Sequence, residues 1–301
     1  MLNGIRRSNP RAEILKPETI NRREFLSSGL MAGALAAAGR LPLLSAEESV
    51  GSSIDASTGP YAVKPVRDYL SRFLPVEAVL GRKQYALTYD IVHWHWSKGK
   101  RDTFANTIIG ELTIERKEAS GQVVYNVSQE TLIGGVKNFI KADIICNTDG
   151  LNSLRRWNFQ GYEVGPKGKI VALSKLTEKG SCRDGSIRVD SGNHQYEFYP
   201  NREVLTQWTI PDVLIRKAKS KPSIKFDLLQ DLSLFKPNQT LVYDGETHFR
   251  CKGGRSVTLQ TYAQRGEGIL PIHYLLNARG LPHLITSSMV SWALSKQSAI
   301  T

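Results

Sequence analysis

Between residues 103 and 147 the chain keeps an alternation of apolar and polar residues through three consecutive segments, and this pattern constrains the fold more than any other feature. Ile108, Gly110, Leu112 and Ile114 alternate with Glu111, Thr113 and Glu115, Val123, Tyr125 and Val127 alternate with Asn126, Ser128 and Glu130, and a third run extends from Phe139 to Cys146. Successive strand residues face opposite sides, so each run requires one wet and one buried face. Lys117-Glu118-Ala119-Ser120-Gly121 and Gly134-Gly135 supply the turns of antiparallel hairpins. Three strands of about 10–14 residues exceed the usual ~5–6 and imply a curved sheet or an open barrel.

Before this sheet, Val66, Tyr69, Leu70, Phe73 and Leu74 recur at three- and four-residue steps, which predicts a helix within 61–80 that packs on it. After it, strands are expected over 170–176, 186–189 and 195–199, with Gly180, Gly185 and Gly192 as separators. Helical spacing over 205–218 and 226–235, broken by Pro211, Pro222 and Pro237, predicts one or two short helices. Hairpins follow: 240–243 with 247–250 around Asp244-Gly245, then 257–264, 269–276 and 281–285, the last two joined by Asn277-Ala278-Arg279-Gly280. Hairpins with helices before and between them predict an α+β, mainly antiparallel β fold, built as a curved sheet or open half-barrel with a few packed helices over 61–301.

The run of long one-sided strands over 84–286, with the closing segment Pro271-Ile272-His273-Tyr274-Leu275-Leu276-Asn277-Ala278-Arg279-Gly280-Leu281-Pro282, resembles the exported half-barrel families typified by outer-membrane lipoprotein carriers. That resemblance implies a concave sheet face that holds an acyl chain or another apolar ligand.

The first 46 residues read as an export leader. Basic residues from Arg6 to Arg23 precede an apolar stretch from Phe25 to Ala38, and Leu44-Ser45-Ala46 offers a cut site. Arg22-Arg23-Glu24-Phe25-Leu26 resembles the twin-arginine translocation motif, which implies recognition of Arg22, Arg23, Phe25 and Leu26 by the twin-arginine translocase and a periplasmic or otherwise exported product. About 14 apolar residues fall short of the ~20 that span a bilayer, and an uncleaved leader would leave the protein tethered. Residues 47–60 are small and polar and read as a linker.

The formal charge is +12, and loss of the leader with its seven Lys/Arg and three Asp/Glu leaves +12 − (7 − 3) = +8. A basic exported chain suits anionic envelope surfaces, lipid or protein, whereas dispersed basic residues without a recognition motif argue against nucleic acid. Cys146, Cys182 and Cys251 are odd in number and lack a C-x-x-C pair, so they read as apolar thiols.

No Walker loop, G-x-G-x-x-G, H-E-x-x-H or G-x-S-x-G occurs, and Ser97 and Ser186 have no identifiable partners. His93 and His95 in His93-Trp94-His95-Trp96 would share a strand face and could give two ligands to a transition metal, with Asp90 on the other face and no third ligand nearby. Glu267 lies between two glycines at an expected turn. The leading expectation is therefore a non-enzymatic exported protein, without a cofactor, that binds an apolar or amphiphilic envelope ligand or partner; the alternative is a metal-binding protein or metal-dependent enzyme using His93 and His95.

Overall fold

The computed structural model describes residues 54–55, 64–74, 79, 81–93, 107–133, 135–192, 194–251, 253–287 and 290–299. The export leader, including Arg22, Arg23, Phe25, Leu26 and Ala46, lies outside the described residues, as does most of the expected linker. In chain order the elements are β1 (Ile54–Asp55), α1 (Lys64–Ser71), β2 (Gln84–His93), β3 (Thr107–Ala119), β4 (Gln122–Ile133), β5 (Val136–Asn147), β6 (Leu154–Val164), β7 (Leu176–Arg183), β8 (Ser186–Asp190) and β9 (Gln195–Phe198). There follow β10 (Val204–Leu205), α2 (Ile210–Lys217), β11 (Ile224–Gln230), β12 (Leu234–Arg250), β13 (Ser256–Arg265), β14 (Ile272–Leu276), β15 (Pro282–Thr286) and β16 (Val290–Ala299).

One antiparallel sheet runs β10-β11-β12-β13-β14-β15-β16-β2-β3-β4-β5-β6-β7-β8-β9, with β10 parallel to β11 and β1 parallel to β12. Strands β3, β4 and β5 have 13, 12 and 12 residues, as the alternation requires. Their inward side chains, among them Leu112, Ile114, Val123, Tyr125, Val127, Ala142 and Ile144, are buried, and the intervening residues are mostly exposed.

The sheet curves around α2. Ile210, Val213 and Leu214 of α2 are fully buried, and hydrogen bonds reach this helical segment from β2 and β4 on one side and from Tyr262 of β13 on the other. Trp208, just before α2, is buried with it, so α2 and its flanks fill the middle of the concave face. The two ends of the sheet, β9 and β10, do not pair with each other, so the roll stays open. A side-chain contact crosses the opening instead: Phe198 of β9 stacks on Phe235 of β12 at 5.4 Å.

Several boundaries differ from the sequence expectations, each for a physical reason. Asp244-Gly245 is no hairpin turn: β12 runs through it, because both halves of the strand pair with β13, and the irregularity is absorbed as a bulge with Gly245 at φ +92°. The segment 226–235 extends as β11 and the start of β12 rather than a helix, since Phe226 and Leu228 pair into the sheet. Residues 170–175 form an ordered connection, and Gly180 sits inside β7, where it faces Trp157 of β6. A Cβ at Gly180 would lie 2.0 Å from the Trp157 ring, so the missing side chain makes room for the indole. Gly180→Ala is expected to displace that buried indole and to lower stability by about 1–3 kcal/mol, read as a shifted denaturation midpoint.

Candidate functional site

On the convex side of the sheet, α1 covers a space of ligand size. Val66, Leu70 and Phe73 repeat at helical steps and bury against Val92, Phe249, Val257, Leu259, Leu275, Leu284 and Ala293. Arg255 fixes the helix end by donating to the carbonyls of Ser71, at 3.0 Å, and of Phe73. Between α1 and strands β2, β3, β15 and β16 lies a cavity of about 530 Å³. This is within the range of small-ligand pockets, roughly 300–1,000 Å³. Phe73, Leu74, Val92, Ile108, Ala293 and Leu294 give it apolar walls, whereas Tyr69, His283 and Asp90 give polar points. Its two cations, Lys64 and Arg72, balance its two carboxylates, Asp68 and Asp90, and Lys64 is paired with Asp68.

His283 reaches this side because the β14–β15 register slips between Leu275 and Leu276, which makes it the extra residue of a bulge. Its protonation follows from the surrounding bonds. The Asn277 Oδ1 accepts from the backbone N–H groups of Arg279 (3.0 Å) and Leu281 (3.1 Å), so its amide nitrogen faces His283 Nε2 at 3.2 Å. Nε2 must then be the acceptor, which puts the ring proton on Nδ1 and directs it to Tyr69 Oη at 2.8 Å. The Tyr69 hydroxyl keeps its own proton to donate, and burial raises the phenol above its ordinary range, so it stays neutral. Phe73 packs edge-on against the imidazole at 4.6 Å.

Burial lowers the His283 pKa to about 4. An unfolded histidine titrates near ~6.5, so the neutral ring stabilises the fold above that pH, and the contribution is lost as pH falls from ~6.5 toward ~4. The Asp231 pKa is raised by burial to about 6 and therefore acts in the opposite sense, with its stabilisation lost as pH rises toward that value. Denaturant titrations at pH 7 and pH 4.5 isolate the histidine by comparison: His283→Gln should lose less stability on acidification than the wild type, by up to about 2–3 kcal/mol.

A second polar centre lies on the concave face and is sealed. The Asp212 carboxylate, on α2, accepts from Tyr85 (2.5 Å), Tyr125 (2.7 Å), Asn152 (2.9 Å) and Arg216 (3.0 Å). Arg116 Nε stands 3.0 Å from the same carboxylate, an ionic contact more than a directed hydrogen bond, since that Nε makes no aligned bond. The Arg116 guanidinium also binds Glu118 and the Lys83 carbonyl. With both side chains about 5% exposed or less, this hub pins α2 to β2, β3 and β4.

The residues singled out in the sequence lie as follows. His93 closes β2 opposite Thr107 and Val290, whereas His95 and Ser97 lie outside the described residues. No group of three His, Cys, Asp or Glu side chains suited to a metal occurs among the described residues. Glu267 is a turn residue whose carboxylate accepts from Asn238 at 2.7 Å, and the Ser186 hydroxyl donates to the Arg183 carbonyl at 3.3 Å. Cys146, Cys182 and Cys251 are free thiols, and burial pushes Cys182 up to about 12. Among the described residues no helix is long and apolar enough to cross a membrane. Tyr69 and His283 gave no sequence sign of working together, being 214 positions apart; the one local hint was the Asn277–Gly280 turn beside Pro282-His283. No protein-family profile matches the chain, and neither the curated proteins nor the solved structures contain a match.

Proposed function

We propose that this is an exported envelope protein that binds a single-chain amphiphile in the cavity beneath α1. The cavity itself carries the reading: apolar walls, a buried hydroxyl with a proton to give, and a charge-balanced rim. An alkyl chain would lie along Phe73, Val92, Ala293 and Leu294, and a neutral or zwitterionic head would accept from Tyr69. The half-barrel resemblance led to the expectation of a ligand on the concave face, but α2 occupies the middle of that face, and the convex side holds this space instead.

Titration of the purified full chain with fluorescent lysophosphatidylcholine tests the reading. Saturable one-to-one binding is expected, weakened about fivefold by Tyr69→Phe, the loss of one hydrogen bond. Absence of saturable binding, or binding unchanged by that substitution and by obstruction of the cavity, refutes it.

Export rests on the twin-arginine resemblance of Arg22 and Arg23. A reporter fused behind residue 46 should leave the cytoplasm, and Arg22→Lys with Arg23→Lys should retain it there.

A further inference from the structure

One rim of the sheet concentrates exposed apolar side chains. It is the end where β2 stops and β3 begins, where β4 turns into β5, β6 into β7 and β13 into β14. Eight large apolar side chains are exposed among the described residues, and six of them, Ile108, Leu132, Ile170, Val171, Leu173 and Leu270, stand at this rim. Scattered exposure is ordinary in soluble proteins, but one-sided concentration marks an interaction surface.

The β6–β7 connection dominates the rim. Residues 165–175 contain Lys167, Lys169 and Lys175 with Ile170, Val171 and Leu173, and no acidic residue. The three lysines are exposed, and none is ion-paired among the described residues. This connection is built, not loose. Val164 bridges Ile170, the Gly165 N–H donates to the Lys169 carbonyl at 3.0 Å, and the Gly168 N–H donates to the Gly165 carbonyl at 2.9 Å with Gly168 at φ +73°. Beyond the tip, the Val171 N–H donates to the Glu163 carbonyl at 2.9 Å, and the Ser174 hydroxyl, donating to Val171, accepts from the Glu163 N–H. A fixed backbone therefore holds Leu173 outward at 73% exposure instead of folding it away. Next to it, Phe139 and Tyr162, partly buried, stack at 5.1 Å on the outer face.

We infer that this rim docks on an anionic phospholipid bilayer, with Ile170, Val171 and Leu173 entering the headgroup boundary and Lys167, Lys169 and Lys175 lying against the lipid phosphates. Aliphatic residues interleaved with unpaired lysines suit such a surface, since apolar insertion and electrostatic attraction act together there. A partner protein of acidic surface would satisfy the lysines but leave no reason for aliphatics held out toward solvent. Because Ile108 also lines the cavity, docking at this rim would bring the cavity to the source of an amphiphile, although the rim would dock whether or not the cavity binds one.

Amine-reactive footprinting of the full chain tests the inference locally. Vesicles of phosphatidylglycerol should protect Lys167, Lys169 and Lys175 at least severalfold and leave Lys117, at the opposite rim, unchanged; phosphatidylcholine vesicles should protect far less. Replacing all three lysines with glutamine should weaken vesicle binding on the order of a hundredfold, and Val171→Ser with Leu173→Ser, in the chain that keeps its lysines, should cut their protection at least severalfold. Labelling unaffected by anionic vesicles overturns the inference. So does equal protection by soluble polyphosphate that is insensitive to Leu173→Ser, which would mean a purely electrostatic contact. Ala293→Trp, which obstructs the cavity, should leave the footprint intact, so docking and amphiphile binding fail separately.

Discussion

Asp212→Ala should lower the unfolding free energy by about 3–5 kcal/mol, the cost of removing one partner of a buried ion pair. Arg116, at 5% side-chain exposure, would lose its buried counter-ion and keep only Glu118, which is one-third exposed, and the hydroxyls of Tyr85 and Tyr125 would lose their shared acceptor. For a domain of this size each kcal/mol corresponds to roughly 2–4 °C, so the melting temperature should fall by roughly 6–20 °C. Replacing the pair with apolar residues is a different case. Arg116→Met combined with Asp212→Leu should cost less than the sum of the single changes, because no buried charge is then left alone. Guanidinium denaturation of the four proteins measures the coupling, and strict additivity would show that the hub does not act as a unit.

Ala293→Trp should abolish amphiphile binding, with affinity reduced more than about a hundredfold. The position faces α1 across the cavity, buried beside Val92, and an indole there would occupy the space reserved for the alkyl chain. Overpacking at such a site costs about 1–3 kcal/mol, much less than a domain's stability, so the variant should remain folded. Binding isotherms alongside circular dichroism separate the two effects. Retained affinity in a folded Ala293→Trp protein would place the ligand elsewhere.

The fold was legible where periodicity was strong. From Leu112 to Arg116 in β3, from Val123 to Thr131 in β4 and from Ala142 to Cys146 in β5 every second side chain is buried, so the period named the face there and the glycine-bearing turns named the ends; at the start of β3 a bulge opposite Ile91 and Val92 turns Ile109 inward in place of the expected Ile108. α1 was legible for the same reason, through the 3.6-residue spacing of Val66, Leu70 and Phe73. Local turn chemistry misled where long-range pairing was stronger: Asp244-Gly245 has the composition of a hairpin turn, but nine ladder pairs with β13, four before it and five after, carry the strand through it as a bulge. The last strand, β16, passed unnoticed, although it is what joins the C-terminal hairpins to β2.

The candidate site was barely legible. Its parts come from a helix near residue 69 and a bulge near residue 283, and nothing in either neighbourhood announces the other. The concave hub left a clearer trace. Arg116 follows Leu112 and Ile114 at two-residue steps, so a charge stands on the inward face and demands a buried partner; Asp212, on the buried side of α2, answers it. The rim around Leu173 could not be read from sequence at all, since 170–175 looks like a buried strand until the structure shows that segment turned outward.

A crystal structure of the full chain soaked with a brominated lysophosphatidylcholine would locate the ligand, because the bromine reports its own position. Anomalous density is expected along the cavity near Val92 and Ala293, with the head within hydrogen-bonding distance of Tyr69 Oη. Density on the concave face beside α2, or no ordered bromine at concentrations that saturate binding in solution, would rule out an amphiphile site beneath α1.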